Sequence, residues 1–361
     1  MLNRIEIENF KSIREMKLEL GDINVLIGAN GVGKSNFISF FSFLHAIYSQ
    51  ELQLYVANQA GADNLLYRGS KNSDYIYSRV EFNHINAYHF SLISDNQDDL
   101  FFEFEADQFN REEGGQGASG WHNKKYGEGH RESLLPDLKY KRHKYVQEYL
   151  SSFKVFHFHD TSPTAKVKRK GAIDDNHFLR EDAGNLAAYL FWMQEKFPNS
   201  FRKIEKSISS VAPFFQGFDL KPDRNREDKI QLEWKERDSD MYLNGMHLSD
   251  GTLRFMALAT LLLQPEPPSV IIIDEPELGL HPFAIHKLSG LIEKASAHSQ
   301  IIISTQSTTL VNKFEPENII TVDRENGQSV FKTHNSKELA GWLENYSIGE
   351  IWNKNIIGGR P

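Results

Sequence analysis

Apolar and charged residues alternate at the start of the chain. In MLNRIEIENFKSI, Ile5 and Ile7 point one way and Glu6 and Glu8 the other, and Met16, Leu18 and Leu20 repeat the pattern. A period of two predicts strands that are buried on one face only. INVLIG (23–28) breaks the alternation with a continuous apolar run, as in a strand of a sheet covered on both faces. A helix should follow from about Lys34 through SNFISFFSFLHAIYSQ. Strand-like stretches return within 75–108, in YIYSRVEF, AYHFSLI and LFFEFEA. REEGGQGASGWHNKKYGEGH (111–130), rich in glycine and charge, reads as a mobile loop. A helical stretch is expected at about 131–152, far too short for an extended coiled coil, then a strand at VFHFH (155–159) and a basic loop, TAKVKRKG. NLAAYLFWMQEKF (185–197) and TLRFMALATLLL (252–263) carry helical periodicity. From SVIIIDEPE (269–277) onward strands and helices alternate again, through IIIST (301–305) to IITVD (319–323).

Strand–helix alternation at both ends around a polar, β-rich middle predicts one split α/β domain, not two in tandem. Its expected parts are an N-terminal lobe (1–110), an insertion with a helical lobe (111–240) and a C-terminal lobe (241–361), with no internal repeat. Composition changes this picture little: 361 residues, 40% hydrophobic and 25% charged, describe a folded protein with a full core. Charge changes it more, because 41 basic against 49 acidic residues (net −8) exclude a globally basic nucleic-acid binder. The lack of cysteine excludes disulfides, thiolate metal sites and cysteine nucleophiles. The N-terminus lacks a signal peptide's apolar core and no apolar run reaches the ~18 residues of a membrane span, so a cytoplasmic protein without membrane contact is expected.

GANGVGKS (28–35) fits the phosphate-loop pattern G-x-x-x-x-G-K-[ST] in the required context, after a strand and before a helix. Gly28, Gly31 and Gly33, with Ala29, Asn30 and Val32 between them, let the backbone curl so that its N–H groups face phosphate oxygens at a helix N-terminus. Lys34 then serves the β- and γ-phosphates, and Ser35 offers a hydroxyl to Mg²⁺. SVIIIDEPE ends a buried strand in two carboxylates: Asp274 suits the Mg²⁺ shell, and Glu275 suits orienting or deprotonating an attacking water. ATP and Mg²⁺ are the implied ligands, and the histidines show no spacing that suggests another metal. Within LSDGTLR (248–254), Ser249, Asp250 and Gly251 sit at the start of the 252–263 helix, either as a simple cap or as a phosphate contact at a helix N-terminus.

Together, GANGVGKS, LSDGTLR, IIIDEPE followed by LGLHP, and IIISTQS resemble the ATP-binding-cassette ATPases of the RecF/SMC/OLD type. The chain is especially similar to small bacterial predicted ATPases with a RecF-like head, in IEIENFKSI and YSIGEIWNKNIIGGRP as well. The resemblance covers both ends well and the middle loosely. It implies a P-loop NTPase fold and an ATP-dependent homodimer in which Ser249 and Gly251 complete the partner's site. Asp250 stands where the family has a second glycine, so its carboxylate should be aimed away from the phosphates. By the same resemblance Asn36 supports the Mg²⁺ or phosphate shell, GLHP (279–282) takes the D-loop place, and Gln306 stands where many relatives carry the switch histidine. Glutamine donates a hydrogen bond but takes up no proton at neutral pH, which implies slow turnover. VFHFHD (155–160) is the best candidate for the Q-loop.

Two basic clusters, KYKRHK (139–144) and KVKRK (166–170), with Tyr140, Tyr145 and Trp121 near in sequence, are either solvated faces or a grip on a double-stranded DNA backbone. There is no long heptad arm, and the 55 residues after Gln306 are too few for a TOPRIM nuclease domain, so a bare head with a separately encoded nuclease or toxin effector is expected. Three functions fit: an ATPase head that senses or clamps DNA in repair or antiphage defence, a slow ATPase scaffold that holds a toxic partner without touching DNA, and, least well, a transporter subunit.

Overall fold

The computed structural model describes residues 1–110 and 120–360, with all their side chains except those at 141 and 142. The alternating start forms an antiparallel hairpin, β1 (Leu2–Phe10) and β2 (Ile13–Glu19), which pairs Ile5 with Leu18 and Ile7 with Met16 on the buried face. The continuous apolar run is β3 (Ile23–Ile27), followed by α1 (Lys34–Tyr48) and α2 (Leu52–Asn58). The strand-like middle resolves into β4 (Tyr75–Phe82), β5 (Asn86–Ser94), β6 (Leu100–Asn110) and β7 (Trp121–Gly127), then α3 (Lys141–Ser152) and β8 (Lys154–Phe156).

The short strands β9 (Gly171–Ala172), β10 (Phe215–Phe218), β11 (Pro222–Asp223), β12 (Arg226–Ile230), β13 (Glu233–Glu236) and β14 (Leu243–Asn244) surround two helices, α4 (Leu186–Lys196) and α5 (Pro198–Val211). The chain closes with α6 (Asp250–Leu263), β15 (Val270–Asp274), α7 (Pro282–Ser296), β16 (Gln300–Thr305), α8 (Thr308–Val311), β17 (Ile319–Glu325), β18 (Gln328–Thr333), α9 (Ser336–Leu343) and α10 (Ile348–Asn353).

Three sequence expectations need correcting. Residues 121–127 of the expected loop form β7, an edge strand on β6, while 111–119 lie outside the described residues. The helix expected from 131 begins only at Lys141, because Ser133 and Leu134 are pinned to the buried Glu105 carboxylate and 135–137 form a separate tight turn with Pro136 in it. The strand expected over 155–159 ends at Phe156, after which His157 and His159 make contacts of their own.

Two compact units emerge. The first takes residues 1–155, 269–272 and 300–361, and the second takes 156–268 and 273–299. The lobe edges expected at 110/111 and 240/241 therefore both fall inside a unit. The first unit contains an antiparallel sheet of order β2-β1-β4-β5-β6-β7 and a second sheet of order β18-β17-β3-β16-β15-β8, in which β3 runs parallel to β16 and β17. A single apolar core joins residues of both sheets to α1, whose Phe37, Phe40, Phe41, Phe43, Leu44 and Ile47 are all fully buried. A helix apolar on so many sides has only a buried place to go. In the second unit α6 is buried along almost its whole length and packs on α5 and α7, and two small three-stranded sheets complete it. The α5 helix starts at Pro198, whose fixed φ suits a first helical position, and it buries Phe201, Ile204 and Ile208 on one face. No helix among the described residues is long and apolar enough to cross a membrane.

Phe41 has no exposed surface, and its ring lies 5.3 Å from those of Phe37 and Phe153. Phe41→Ala should cost about 3–5 kcal/mol in urea unfolding, whereas Leu54→Ala, at a side chain 59% exposed, should stay within about 0.5 kcal/mol. His334 is buried with its Nε2 beside Thr321 Oγ1, and burial lowers its pKa to about 4. It is neutral when folded and protonates near 6.5 when unfolded, so its contribution is intact above that pH and is lost as the pH falls toward 4. Urea midpoints measured between pH 7 and 4.5 should therefore fall less steeply for His334→Gln than for the wild type.

Candidate functional site

The parallel strands of the first unit converge on a glycine-rich turn. β3 delivers the chain to Gly28, and α1 starts at Lys34 with no acidic residue in its first turn, leaving the helix N-terminus electropositive. Lys34 is buried, and its ammonium donates to the carbonyls of Gly28 (2.6 Å) and Ala29 (2.9 Å), so it is held over the loop. Asn30, Gly31 and Ser35 are exposed. At Gly33 φ is +120°, and a Cβ there would overlap the Ser329 hydroxyl. Glycine is thus required on two counts.

A short relay fixes this loop from two directions. Asn36 Nδ2 donates to Ser12 Oγ (2.7 Å), Ser12 and Ser329 share a hydrogen bond (2.7 Å), and Ser329 Oγ donates to the Val32 carbonyl (2.6 Å). Asn36, expected to support a metal or phosphate shell, makes this bond to the hairpin turn after β1. Ser12 and Ser329 are absent from the sequence reading; NFKS offered a signal for the first, and nothing local marks the second. A cavity of about 560 Å³ adjoins the loop at Gly31 and Asn36 and carries Lys11, Arg68 and Arg324 on its wall. Lys11 donates to Ser39 Oγ and Gln59 Oε1, and burial lowers its pKa. Arg324 Nη1 donates to the Gly31 carbonyl. Gln306 directly follows β16, whose Thr305 pairs with Ile27, so it stands level with the start of the phosphate loop. The strand that carries it lies between β3 and β15 in the sheet.

The remaining expected residues belong to the second unit. Asp274 ends β15 half-buried, and the chain then turns sharply, with Glu275 at φ +44°. A left-handed glutamate costs about 1–2 kcal/mol, a strain that collects at functional positions. His159 Nε2 donates to the Asp274 carbonyl (3.0 Å). Ser249 is the N-cap of α6, and its Oγ accepts from Thr252 N (3.2 Å) while it remains exposed. Asp250 extends to Lys168 Nζ (3.7 Å). Gly251 is small because a Cβ there would overlap the Gly279 carbonyl oxygen at the head of GLHP. His281 caps α7.

Arg254, the last residue of LSDGTLR and one the sequence reading passed over, donates to the carbonyls of Phe158 (3.1 Å), His159 (2.9 Å) and Leu278 (3.0 Å). In KVKRK, Lys166 pairs with Asp182, Lys168 with Asp250 and Lys170 with Asp223, so most of that cluster's charge is matched within the fold.

Gly33→Ala should destabilise the protein by about 1–3 kcal/mol and displace the loop. Combined with Ser329→Gly, which removes the clash with Ser329 but leaves the Ser12 hydroxyl 2.9 Å from that Cβ and the φ unfavourable, the loss in thermal unfolding should be smaller but not zero.

A family model described as "AAA domain, putative AbiEii toxin, Type IV TA system" matches residues 23–312. A 54-residue stretch is 41% identical to Arcadin-4 of Pyrobaculum calidifontis, but it spans 15% of this chain and only 6% of that protein. An SMC head bound to the C-terminal winged-helix domain of ScpA superimposes with a TM-score of 0.63 at 16% identity, over 93% of this chain and 99% of that one. An Smc head with an extended coiled coil, bound to the C-terminal domain of ScpA derived from Pyrococcus furiosus, gives 0.55 at 16% identity over 95% and 98%. Phosphate loop, family match and fold agree: the chain belongs to this family of AAA-domain proteins and has the P-loop ATPase fold of RecF/SMC-type heads.

Proposed function

We propose that this chain is an ATP-hydrolysing head that dimerises around ATP. The observation that carries the reading is the phosphate loop itself, with its backbone fixed by the Asn36–Ser12–Ser329 relay and Lys34 held across it. An electropositive helix start and a wall on which Lys11, Arg68 and Arg324 outnumber the one carboxylate, Asp63, suit a triphosphate's negative charge.

Ser35, through its exposed hydroxyl, and Asp274, through its carboxylate, are the residues that would hold Mg²⁺. When bound, that ion would neutralise charge developing on the β- and γ-phosphate oxygens. Lys34 binds and orients the same phosphates. Glu275, presented by its left-handed backbone, orients a water and accepts its proton, and Gln306 donates a hydrogen bond at the γ-phosphate. Ser249 and Gly251 contact the γ-phosphate of a second copy's ATP, and Asp250, engaged by Lys168, is kept from repelling it. Without a histidine at Gln306, turnover is slow.

The internal pairing of KVKRK argues against that cluster as a DNA grip, and the family's description names a toxin–antitoxin system. Both observations favour a protein partner in defence over direct DNA contact, with the ATPase as its sensor or restraint.

Ser249→Arg tests the reading. ATP affinity, measured with a fluorescent analogue, should change by less than about threefold, while kcat falls by about a hundredfold or more, as when a single transition-state donor is lost. Hydrolysis at the wild-type rate would mean that Ser249 is a helix cap and nothing more.

A further inference from the structure

Arg254 sits where three segments of the second unit meet. It belongs to α6, one turn after the Ser249 cap. Its Nε donates to the Phe158 carbonyl (3.1 Å), its Nη2 to the His159 carbonyl (2.9 Å) and its Nη1 to the Leu278 carbonyl (3.0 Å). His159 continues the chain of bonds, because its Nε2 donates to the Asp274 carbonyl (3.0 Å).

The turn containing Glu275 is therefore clamped at both ends, at Asp274 through His159 and at Leu278 directly by Arg254. Inside the turn, the Leu278 amide donates to the Glu275 carbonyl (3.2 Å) and the Leu280 amide to that of Glu277 (2.9 Å). A left-handed backbone at a glutamate persists only when its surroundings over-determine it, and here they do. Gly251 adds a steric contact, since its Cα side lies against the Gly279 carbonyl with no room for a Cβ. The guanidinium's planar fork satisfies carbonyls in three directions, which a lysine ammonium on a flexible stem does not reproduce.

We infer that Arg254 is a positioning residue: it joins the start of α6 to the Asp274–Glu275 turn, so that Glu275, which serves this chain's own ATP, is held in one rigid frame with Ser249, which meets the second copy's γ-phosphate. This rests on the reading of Ser249 and Glu275 given above. Arg254 touches neither phosphate nor water itself. Its effect appears in the chemical step and not in nucleotide binding, which belongs to the phosphate loop of the other unit.

Arg254→Lys and Arg254→Gln, measured beside Ser249→Arg, test this. For Arg254→Lys the melting temperature and far-ultraviolet circular dichroism should stay close to wild type and KM for ATP should change by less than about threefold. Its kcat should fall on the order of tenfold to a hundredfold, the usual result of a small misplacement of a reacting group, with Arg254→Gln lower still. Hydrogen exchange should rise at the Leu278 and Leu280 amides and not in 28–36. A kcat unchanged in Arg254→Lys would overturn the inference, as would a loss that tracks the unfolded fraction and disappears at lower temperature. If Ser249→Arg hydrolyses normally while Arg254→Lys loses kcat alone, the contact in trans is wrong and the clamp on Glu275 stands. A wild-type chain that does not hydrolyse ATP overturns both.

Discussion

The rest of the first unit depends on the burial of α1. Its phenylalanines, leucine and isoleucine face two sheets and α3 at once, so the helix cannot shift along its axis without opening the core. Its first residue, Lys34, is buried too, and the phosphate loop is consequently the end of a fixed rod. Serines from the β1–β2 turn and from β18 complete the hold, tying the loop to strands more than three hundred residues apart in sequence. Preorganised backbone donors of this kind suit an anion at little cost in reorganisation.

The second unit meets a different constraint with a related device. A buried helix, α6, begins with an exposed serine cap, and a single arginine near that end ties it to the turn carrying Glu275. Ser249 and Glu275 thus stand on the same framework of backbone carbonyls and charge-assisted hydrogen bonds, which are stronger than neutral ones. Asp250, an apparent departure from a glycine-rich signature, is matched by the nearly buried Lys168, whose Nζ also donates to the Thr161 carbonyl.

Much of this was legible in the sequence, for physical reasons. Period-two alternation marked β1 and β2, continuous apolar runs marked β3, β15 and β16, and the glycine spacing of 28–35 marked the phosphate loop because its mechanism needs that spacing. What stayed hidden is non-local. Ser329 stabilises the loop only because β18 folds back beside it, and no pattern around position 329 announces that. Arg254 ends a recognised motif, yet its partners are backbone carbonyls, which carry no sequence signal. The onset of α3 was misplaced because a buried carboxylate, Glu105, holds 133–134 in a non-helical path. β7 carries no strand signal because an edge strand with one exposed face tolerates the polar, glycine-flanked composition that usually marks turns.

The central claim, that ATP assembles this protein as well as binding it, is tested most directly by light scattering on Glu275→Gln with saturating Mg-ATP. The substitution keeps a hydrogen-bonding side chain but removes the base, so bound ATP should persist. The mass should double with Mg-ATP and return to that of a single chain with ADP. A single-chain mass at saturating ATP would contradict it.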